Sequence, residues 1–198
     1  MSTPVTGIGN DPARRLSPVV RLAPAKLNLT LAVIGRRRDG YHDLHSVVVP
    51  LELADRLSLA IQPVGGDSIT STGFDPGWPE RNLVLRAIDV TRAAVARSWP
   101  GAPMSPPALA VRLEKRIPIA AGLGGGSSDA AAAIDGALEV GSDVPLFLAG
   151  GAALIEGRGE RVTPLHGVHA SAGGEAAVLL VTPALSIHTA AVFEAWSG

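Results

Sequence analysis

The chain has 198 residues, of which 46% are hydrophobic and 18% are charged, and its formal net charge is −1. This length and apolar content predict a globular unit with a substantial core, and a charge near zero gives no electrostatic basis for binding nucleic acid or an anionic membrane surface. The sequence has no cysteine, which excludes disulfides and thiolate metal sites and is typical of a reducing compartment.

Residues 1–18 are rich in Pro, Gly, Ser and Thr and contain no apolar run. We therefore expect a flexible leader there, and not a secretory signal. No later apolar segment is long enough to cross a bilayer. The sequence predicts a cytoplasmic protein with neither a nucleic-acid nor a membrane partner.

The first strands are indicated by alternating apolar residues. Val19–Leu22 is a short strand candidate, and the alternation over Leu27–Val33 predicts a second strand with one buried face. Lys26 and Asn28 fall on the face opposite the leucines, so both are expected to point at one region. A charged turn follows, with Asp39-Gly40 at its tightest point.

Two extended stretches follow this turn. His42–Leu53 is a strand candidate in which Pro50 predicts an edge or bulged strand. Arg56–Gln62 is predicted as a separate alternating strand. A loop containing Gly and Pro is expected from there to Trp78-Pro79.

The helical period begins only in the middle of the chain. Asn82 to about Ser98 has apolar residues on one face and is predicted as a helix. Leu109–Leu113 is a half-exposed strand, Ala176–Val181 a buried strand and Thr189–Trp196 a short helix. Because several strands precede the first helix, we expect an α+β fold.

The segment Pro118–Ala133 carries the strongest functional signal. Four of its residues between positions 122 and 126 are glycines, which let the backbone approach a ligand, and Ser127–Asp129 are helix-capping residue types followed by alanines. A glycine loop that leads into a helix N-terminus predicts a phosphate-binding site. The alternative is a turn that merely lets the helix pack closely on a sheet. The loop lacks the lysine of a Walker A motif, and a serine occupies the position of the third glycine of a dinucleotide fingerprint.

Several motifs in a fixed order resemble those of the GHMP kinases, the family of galactokinase and of homoserine, mevalonate and phosphomevalonate kinases. The match spans roughly Arg21 to Phe193, and the sequence is most similar to the branch that phosphorylates the 2-hydroxyl of 4-diphosphocytidyl-2-C-methyl-D-erythritol in isoprenoid biosynthesis. Ordered blocks are far more specific than one motif. They are Pro24–Leu29, Asp39–Leu44, Arg81–Leu83, Pro118–Ala130, Gly141–Phe147 and Gly150–Glu160.

The resemblance implies an α+β N-terminal domain related to ribosomal protein S5 domain 2, expected over residues 19–182. The C-terminal domain of the family is expected to be largely absent, with residues 183–198 forming the start of a truncated region. The family's cofactor is ATP with Mg²⁺, and the glycine loop would hold its triphosphate. The implied ATP-binding residues are Pro118, Ile119, Ala120, Ala121, Gly122, Leu123, Gly124, Gly125, Gly126, Ser127 and Ser128.

The resemblance also supplies two catalytic candidates. Asp143 would accept the proton of the acceptor hydroxyl, and Lys26 would keep Asp143 ionised and help neutralise developing charge. From spacing alone, Asp143 could instead cap a short helix and Lys26 could be a solvated charge. No resident metal ligand is implied for the protein itself.

The substrate would be a cytidyl diphosphate polyol. Tyr41 would stack on the cytosine and His42 would hydrogen-bond to its edge, while Asn28 would contact the polyol or phosphate. Phe193 matches the family's second aromatic on the base, although a core position in the last helix is equally compatible with the sequence. The other four histidines have no metal-ligand spacing.

The sequence departs from the family pattern after the glycine loop. Only twelve residues separate Ser128 from Gly141, about 18 Å if all were helical, where the family has a helix, a turn and a second helix. Asp135-Gly136 marks the expected junction of the missing segment. The alternatives to the kinase prediction are a GHMP kinase with another small alcohol as acceptor and a non-catalytic nucleotide-binding domain.

Overall fold

The computed structural model describes residues 18–75, 82–98, 107–133, 147, 151–165, 177–181 and 195. Within these ranges the chain forms one sheet of seven strands and two long helices. Their order along the chain is β1 (Val19–Asn28), β2 (Ala32–Arg36), β3 (His42–Gln62), β4 (Ser68–Gly73), α1 (Leu83–Ser98), β5 (Ala108–Lys115), α2 (Gly125–Ala133), β6 (Ala153–Gly157) and β7 (Arg161–Pro164).

Strand β3 is the centre of the sheet, and its two halves have different neighbours. Its first residues pair antiparallel with β2 on one edge and β6 on the other, while Arg56–Leu59 lie between β1 and β5. Strand β4 adds to β5 in parallel, and β7 adds to β6 in antiparallel orientation. A mixed sheet with helices later in the chain confirms the α+β prediction.

Both helices pack against the sheet through apolar side chains. Val84 and Ile88 of α1 are buried against Ala23, Leu57 and Leu113 from β1, β3 and β5. Helix α2 packs beside α1 because the small side chains at its centre allow a close approach. This confirms the helix predicted from Asn82 to about Ser98. Among the described residues, no helix combines the length and the apolar character that a bilayer crossing requires.

The strand predicted over Leu27–Val33 is wrong as a single element, because the chain turns between β1 and β2. The amides of Leu29 and Thr30 both donate to the carbonyl oxygen of Val47, at 2.8 and 3.4 Å, and Thr30 Oγ1 accepts from Val47 N at 3.0 Å. This local pairing interrupts the pleat. Leu29 and Leu31, placed on the buried face by the alternation, are therefore more than half exposed.

The two strands predicted over His42–Leu53 and Arg56–Gln62 form one strand, β3. Pro50 does not lie on an edge strand, but the predicted bulge is present, since the pairing of β1 with β3 shifts register between Pro24 and Lys26. Residues 49–55 lie between the parts of β3 that pair with β6 and with β5. A residue without an N–H is tolerated there.

Two further predictions are wrong. The loop expected after Gln62 contains β4, whose Ile69 and Thr70 favour a strand and which pairs with β5. Residues 177–181 of the predicted buried strand are irregular, with Leu179 and Val181 largely exposed, because this stretch pairs with no described strand. The helix predicted at Thr189–Trp196 and the leader up to Ser17 lie outside the described residues, apart from Ala195.

Candidate functional site

A cavity of about 420 Å³ lies where the glycine loop meets the start of α1 and the end of β5. It is lined by backbone from the loop, by the first residues of both helices and by two lysines. The lining residues are Lys26, Asn82, Leu83, Lys115, Pro118, Ile119, Ala120, Ala121, Gly122, Leu123, Gly124, Gly125, Gly126, Ser127 and Asp129. Every predicted loop residue from Pro118 to Ser127 is in this set. The exception is Ser128, whose side chain is buried behind the loop.

The loop is held open by residues with positive φ and by one anchor to the sheet. Ala120, Gly122 and Gly124 have φ of 55°, 72° and 71°, the left-handed region in which glycine is favoured. Leu123 is buried, and its carbonyl oxygen accepts a hydrogen bond from Lys26 N at 3.0 Å. The loop is therefore fixed directly to β1, beside the side chain of Lys26.

Helix α2 begins one residue after the left-handed Gly124. Ser128 N donates to the carbonyl oxygen of Gly124 at 2.9 Å, which makes Gly124 the N-cap. Ser127, Ser128 and Asp129 therefore lie inside the first turns, and their interpretation as caps is wrong. The N–H groups of Gly125, Gly126 and Ser127 have no acceptor within the helix, and all three residues line the cavity. Such a helix start binds anions.

Two of the glycines are closely packed on the side where a Cβ would stand. A Cβ on Gly124 would stand 2.9 Å from Phe147 Cζ and 3.1 Å from Lys26 Cγ. A Cβ on Gly125 would stand 3.1 Å from Ile117 Cγ2 and 3.2 Å from Lys115 Nζ. The glycines thus let the start of α2 pack directly on two lysine side chains.

Lys26 and Asn28 point at one region, as the sequence predicts. Lys26 Nζ donates to Asn28 Oδ1 at 2.5 Å, and Asn28 Nδ2 donates to Ser46 Oγ at 2.6 Å. Ser46 is buried, and its hydroxyl donates to the carbonyl oxygen of Thr30. This chain of hydrogen bonds fixes the Lys26 ammonium near the glycine loop.

A buried ion triad, formed by Asp55, Lys115 and Asp129, lies beneath the loop and was not predicted from the sequence. Lys115 Nζ donates to Asp55 Oδ2 and, at 2.7 Å, to Asp129 Oδ2. Asp55 Oδ1 accepts from the backbone N–H groups of Arg116 and Ile117 at 2.6 and 2.8 Å. The triad therefore joins the end of β5, the entry to the loop and the first turns of α2.

Asp129 is the unusual member of this triad. Burial raises the pKa of Asp129 to about 7, although the charge and hydrogen bond of Lys115 act to lower the pKa. Its Oδ1 atom and the Ser128 hydroxyl are buried without a hydrogen-bond partner among the described residues. An ammonium that faces two carboxylates leaves the ionised triad with one excess negative charge, directly behind an anion site.

The alternation of the strands contains a signal for this triad. Leu109, Val111 and Leu113 predict the buried face of β5, and the same period of two places Lys115 on that face. Asp55 likewise falls in line with Leu57 in β3. A charge on each of two buried faces predicts a buried ion pair.

Tyr41 and His42 lie away from the cavity, at the turn that leads into β3. Tyr41 is half exposed, and the Arg158 guanidinium is 5.3 Å from the centroid of its ring. Asn28 pairs with Val48 of β3. Val48 is six residues beyond His42, so Asn28 lies roughly 20 Å from the turn at about 3.3 Å per residue. Asp143 and Phe193 lie outside the described residues.

The chain resembles kinases of known structure and name. Residues 82–157 match the model of the GHMP kinases N terminal domain. The chain is 44% identical to 4-diphosphocytidyl-2-C-methyl-D-erythritol kinase of Deinococcus radiodurans, covering 80% of this chain and 58% of the relative. It is 40% identical to the kinase of the same name from Pelotomaculum thermopropionicum, covering 90% and 63%.

A solved structure agrees with these relatives. The crystal structure of 4-(cytidine 5'-diphospho)-2C-methyl-D-erythritol kinase is 41% identical, with a TM-score of 0.58, and the match covers 74% of this chain and 55% of that one. The chain thus spans about three fifths of the length of the curated relatives it matches. The matched domain and the glycine loop, with the similarity to kinases of one name, show that this chain carries an N-terminal domain of the GHMP kinase type.

Proposed function

We propose that the protein is an ATP-dependent kinase that phosphorylates the 2-hydroxyl of 4-diphosphocytidyl-2-C-methyl-D-erythritol, in isoprenoid precursor biosynthesis in the cytoplasm. The observation that carries the proposal is the glycine-loop cavity, in which backbone N–H groups at the start of α2 are joined by Lys26 and Lys115. The names of the relatives support the choice of reaction and acceptor.

The cavity suits the phosphates of ATP in size and chemistry. Its volume of roughly 420 Å³ is in the range of small-molecule sites. Four of the residues that line it, between positions 122 and 126, are glycines without a side chain. The glycines of its loop have no side chains that would keep a ligand away from the backbone hydrogen-bond donors. Mg²⁺ would arrive with ATP and would offset part of the negative charge of the phosphates.

Lys26 is the catalytic cation of the proposal. Its backbone is tied to the loop and its ammonium is held by Asn28, so its position is fixed relative to the phosphates. There it would stabilise the charge that develops on the transferring phosphoryl group. Asp143 would accept the proton of the acceptor hydroxyl.

The acceptor is an elongated molecule, and the residues proposed to bind it are spread along the sheet. Tyr41 and His42 at the turn would hold the cytosine, and Asn28 would hold the polyol end nearer the cavity. The separation of Tyr41 from Asn28 along β3 favours a long acceptor over a small alcohol. Phe193 would close the other face of the base.

The chain also has an internal gap relative to these kinases. The alignment with the Deinococcus radiodurans relative is 185 positions long. It contains only 80% of the 198 residues of this chain, which is fewer than 185, so some aligned positions of the relative have no counterpart in this chain. We propose that they fall between Ser128 and Gly141, where the sequence is shorter than the family pattern. This would shorten the connection from α2 to Asp143.

A coupled ADP-release assay with MgATP and the cytidyl acceptor tests the function. We expect Lys26→Met and Asp143→Asn to lower kcat at least 100-fold, because each removes a charged group from the reacting centre. Lys26→Arg keeps the charge and should retain more activity than Lys26→Met. Arg38→Met is the matched control, since Arg38 is exposed on the β2–β3 turn.

The outcomes separate the alternatives. Turnover that survives both Lys26→Met and Asp143→Asn would contradict the mechanism. Inhibition by cytidine nucleotides competitive with the acceptor supports the cytidyl substrate, whereas turnover of other alcohols without such inhibition indicates another GHMP kinase activity. ATP binding without turnover in any variant would indicate a non-catalytic nucleotide-binding domain.

A further inference from the structure

The buried ion triad, when fully ionised, carries one excess negative charge next to the proposed phosphate site. Lys115 carries one positive charge and faces two carboxylates, from Asp55 on β3 and Asp129 on α2. All three side chains are at most 4% exposed, so water screens them little. Lys115 and Asp129 also line the glycine-loop cavity.

We propose that the buried triad Asp55–Lys115–Asp129 couples binding of a polyanion in the glycine loop to the uptake of a proton by the carboxylate of Asp129. The inference rests on the proposed function for the presence of a triphosphate in the cavity. The proton comes from the acid form of the buffer and bonds to a carboxylate oxygen of Asp129. No bond to the nucleotide is made or broken.

Asp129 is the member that can accept the proton, because its two oxygens differ from those of Asp55. Asp55 uses both oxygens, accepting from Lys115 and from two backbone N–H groups that stabilise its ionised form. Asp129 accepts from Lys115 through Oδ2, while Oδ1 is buried without a partner among the described residues. Protonation of Asp129 thus costs the triad fewer hydrogen bonds.

Among the described residues, few other charged groups around Asp129 could take up the proton instead. Strand β5 contributes Lys115, β3 contributes Asp55, and Lys26 of β1 lines the same cavity. Helix α1 meets α2 through apolar side chains, while its Arg86 and Asp89 are exposed. The apolar residues at this contact are Leu83, Ala87 and Val90.

The sign of the coupling follows from charge. A triphosphate adds negative charge next to Asp129 and so favours the neutral carboxyl. Once Asp129 is neutral, the charges of Lys115 and Asp55 balance, and the triad no longer carries an excess negative charge that repels the phosphates. Since the pKa of Asp129 is about 7 without ligand, a modest further rise changes its protonation near neutral pH. Lys115 would thereby act as a positioning residue for the loop.

Isothermal titration calorimetry of MgATP at pH 8, without the acceptor, measures the proton directly. Titrations in Hepes and in Tris, which differ in ionisation enthalpy, give the number of protons taken up. If ATP raises the pKa of Asp129 by one to two, the wild type should take up roughly 0.4 to 0.8 of a proton more than Asp129→Asn. Protonation changes of the nucleotide itself cancel in this difference. Asp89→Asn, the same change on an exposed residue of α1, should behave like the wild type.

The pH dependence of the ATP affinity distinguishes the proposed proton uptake from a merely structural role of Asp129. From pH 6 to pH 8, the ATP affinity of the wild type should fall about five-fold to nine-fold relative to that of Asp129→Asn, because the variant carries no charge to neutralise. If Asp129 were only a packing residue, this ratio would not change with pH. Equal proton uptake by wild type and Asp129→Asn would overturn the coupling and leave the proposed function standing.

A second measurement uses the wild type alone and does not depend on the folding of a variant. Among the carboxyl ¹³C resonances of labelled aspartate, one should titrate with a pKa near 7, and this pKa should rise when MgATP is added. A resonance that ignores MgATP while the nucleotide binds would overturn the coupling. Failure of ATP to bind at all would overturn the proposed function, and the coupling with it.

Discussion

Gly125 lies against the side chains of Ile117 and Lys115, so the start of α2 reaches the buried triad without an intervening Cβ. This contact joins the two parts of the site, the N–H groups that face the cavity and the ammonium behind them. At Gly122 the requirement is different, since nothing lies within 4 Å of a Cβ there and the positive φ alone favours glycine. Individual residues in one loop thus serve separate physical purposes.

Gly125→Ala should weaken ATP binding at least ten-fold, although alanine is the better helix former. Its Cβ would displace Ile117 or Lys115 by a few tenths of an ångström and shift the loop N–H groups. Calorimetric titration of MgATP measures the effect. Gly35→Ala is the matched control, because Gly35 has open space around it, and it should bind ATP like the wild type. Unchanged affinity in Gly125→Ala would show that the loop does not hold the nucleotide.

Asp129 should make the stability of the protein fall as pH rises. Its pKa is about 7 in the folded chain against 3.8 for the free side chain, so between these values the folded state holds a proton that the unfolded state has lost. This contribution is fully present below pH 3.8 and is lost as pH rises through 7. Urea unfolding at pH 4.5 and 7.5 should show the wild type losing on the order of 3 kcal/mol more than Asp129→Asn over this range.

The control for this prediction is Asp89→Asn, an exposed substitution that should keep the pH dependence of the wild type. A wild type and an Asp129→Asn protein with parallel pH profiles would mean that Asp129 titrates in the ordinary range of an aspartate.

Helix α1 and helix α2 begin in different ways, and each beginning borders the cavity. Gly124 caps α2 with backbone alone, whereas Asn82 caps α1 through its side chain, Oδ1 accepting from Val84 N at 2.9 Å. Helix α1 is also tied to the sheet by Arg92, which pairs with Asp67 at 2.6 Å, while Asp67 accepts from Leu109 N at 2.7 Å. The elements around the site are thus fixed by specific polar contacts as well as by the core.

Asn82→Ala should lower the free energy of unfolding by about 1 kcal/mol, because the first turn of α1 loses its side-chain acceptor. Asn82→Ser replaces one capping residue by another and should recover most of the loss. Urea denaturation at a single pH compares the three proteins. If Asn82→Ser proved as destabilised as Asn82→Ala, the contact of Asn82 within the cavity, and not its cap, would be the source of its contribution.

Local patterns were sufficient to predict α1, β5 and the glycine loop, because each depends on its own periodicity or residue types. They failed where pairing decides the outcome. Leu29 and Leu31 alternate as in a strand, yet two amides bonded to Val47 end β1 there. The pairing of β4 with β5 was not visible in the sequence either, and the strand predicted over Leu109–Leu113 ended before Lys115, which occupies a buried position of the same alternation.

At the scale of the whole molecule, the described chain carries Lys26 on its sheet and leaves large apolar side chains exposed. Leu22 and Ile34, on β1 and β2, are 64% and 66% exposed. Ligand binding should therefore contribute visibly to the stability of this protein, since a ligand that binds only the folded state stabilises it by mass action.

MgATP at about 100 times its Kd should raise the melting temperature by roughly 5 to 10 °C, which corresponds to about 2.7 kcal/mol for a chain of this size. Differential scanning fluorimetry measures the shift. AMP lacks the phosphates that the loop is proposed to hold and should give a much smaller shift at the same concentration. Equal shifts with AMP and ATP would place the binding energy outside the glycine loop.

The central claim is that the glycine-loop cavity presents ATP for transfer of its γ-phosphate to a cytidyl alcohol. It is tested most directly by ³¹P NMR of one mixture that contains the protein, MgATP and 4-diphosphocytidyl-2-C-methyl-D-erythritol. We expect a new phosphomonoester resonance that grows in step with ADP, one to one, and that fails to grow with Lys26→Met. ATP that binds yet yields no such resonance, or ADP that forms without it, would contradict the claim.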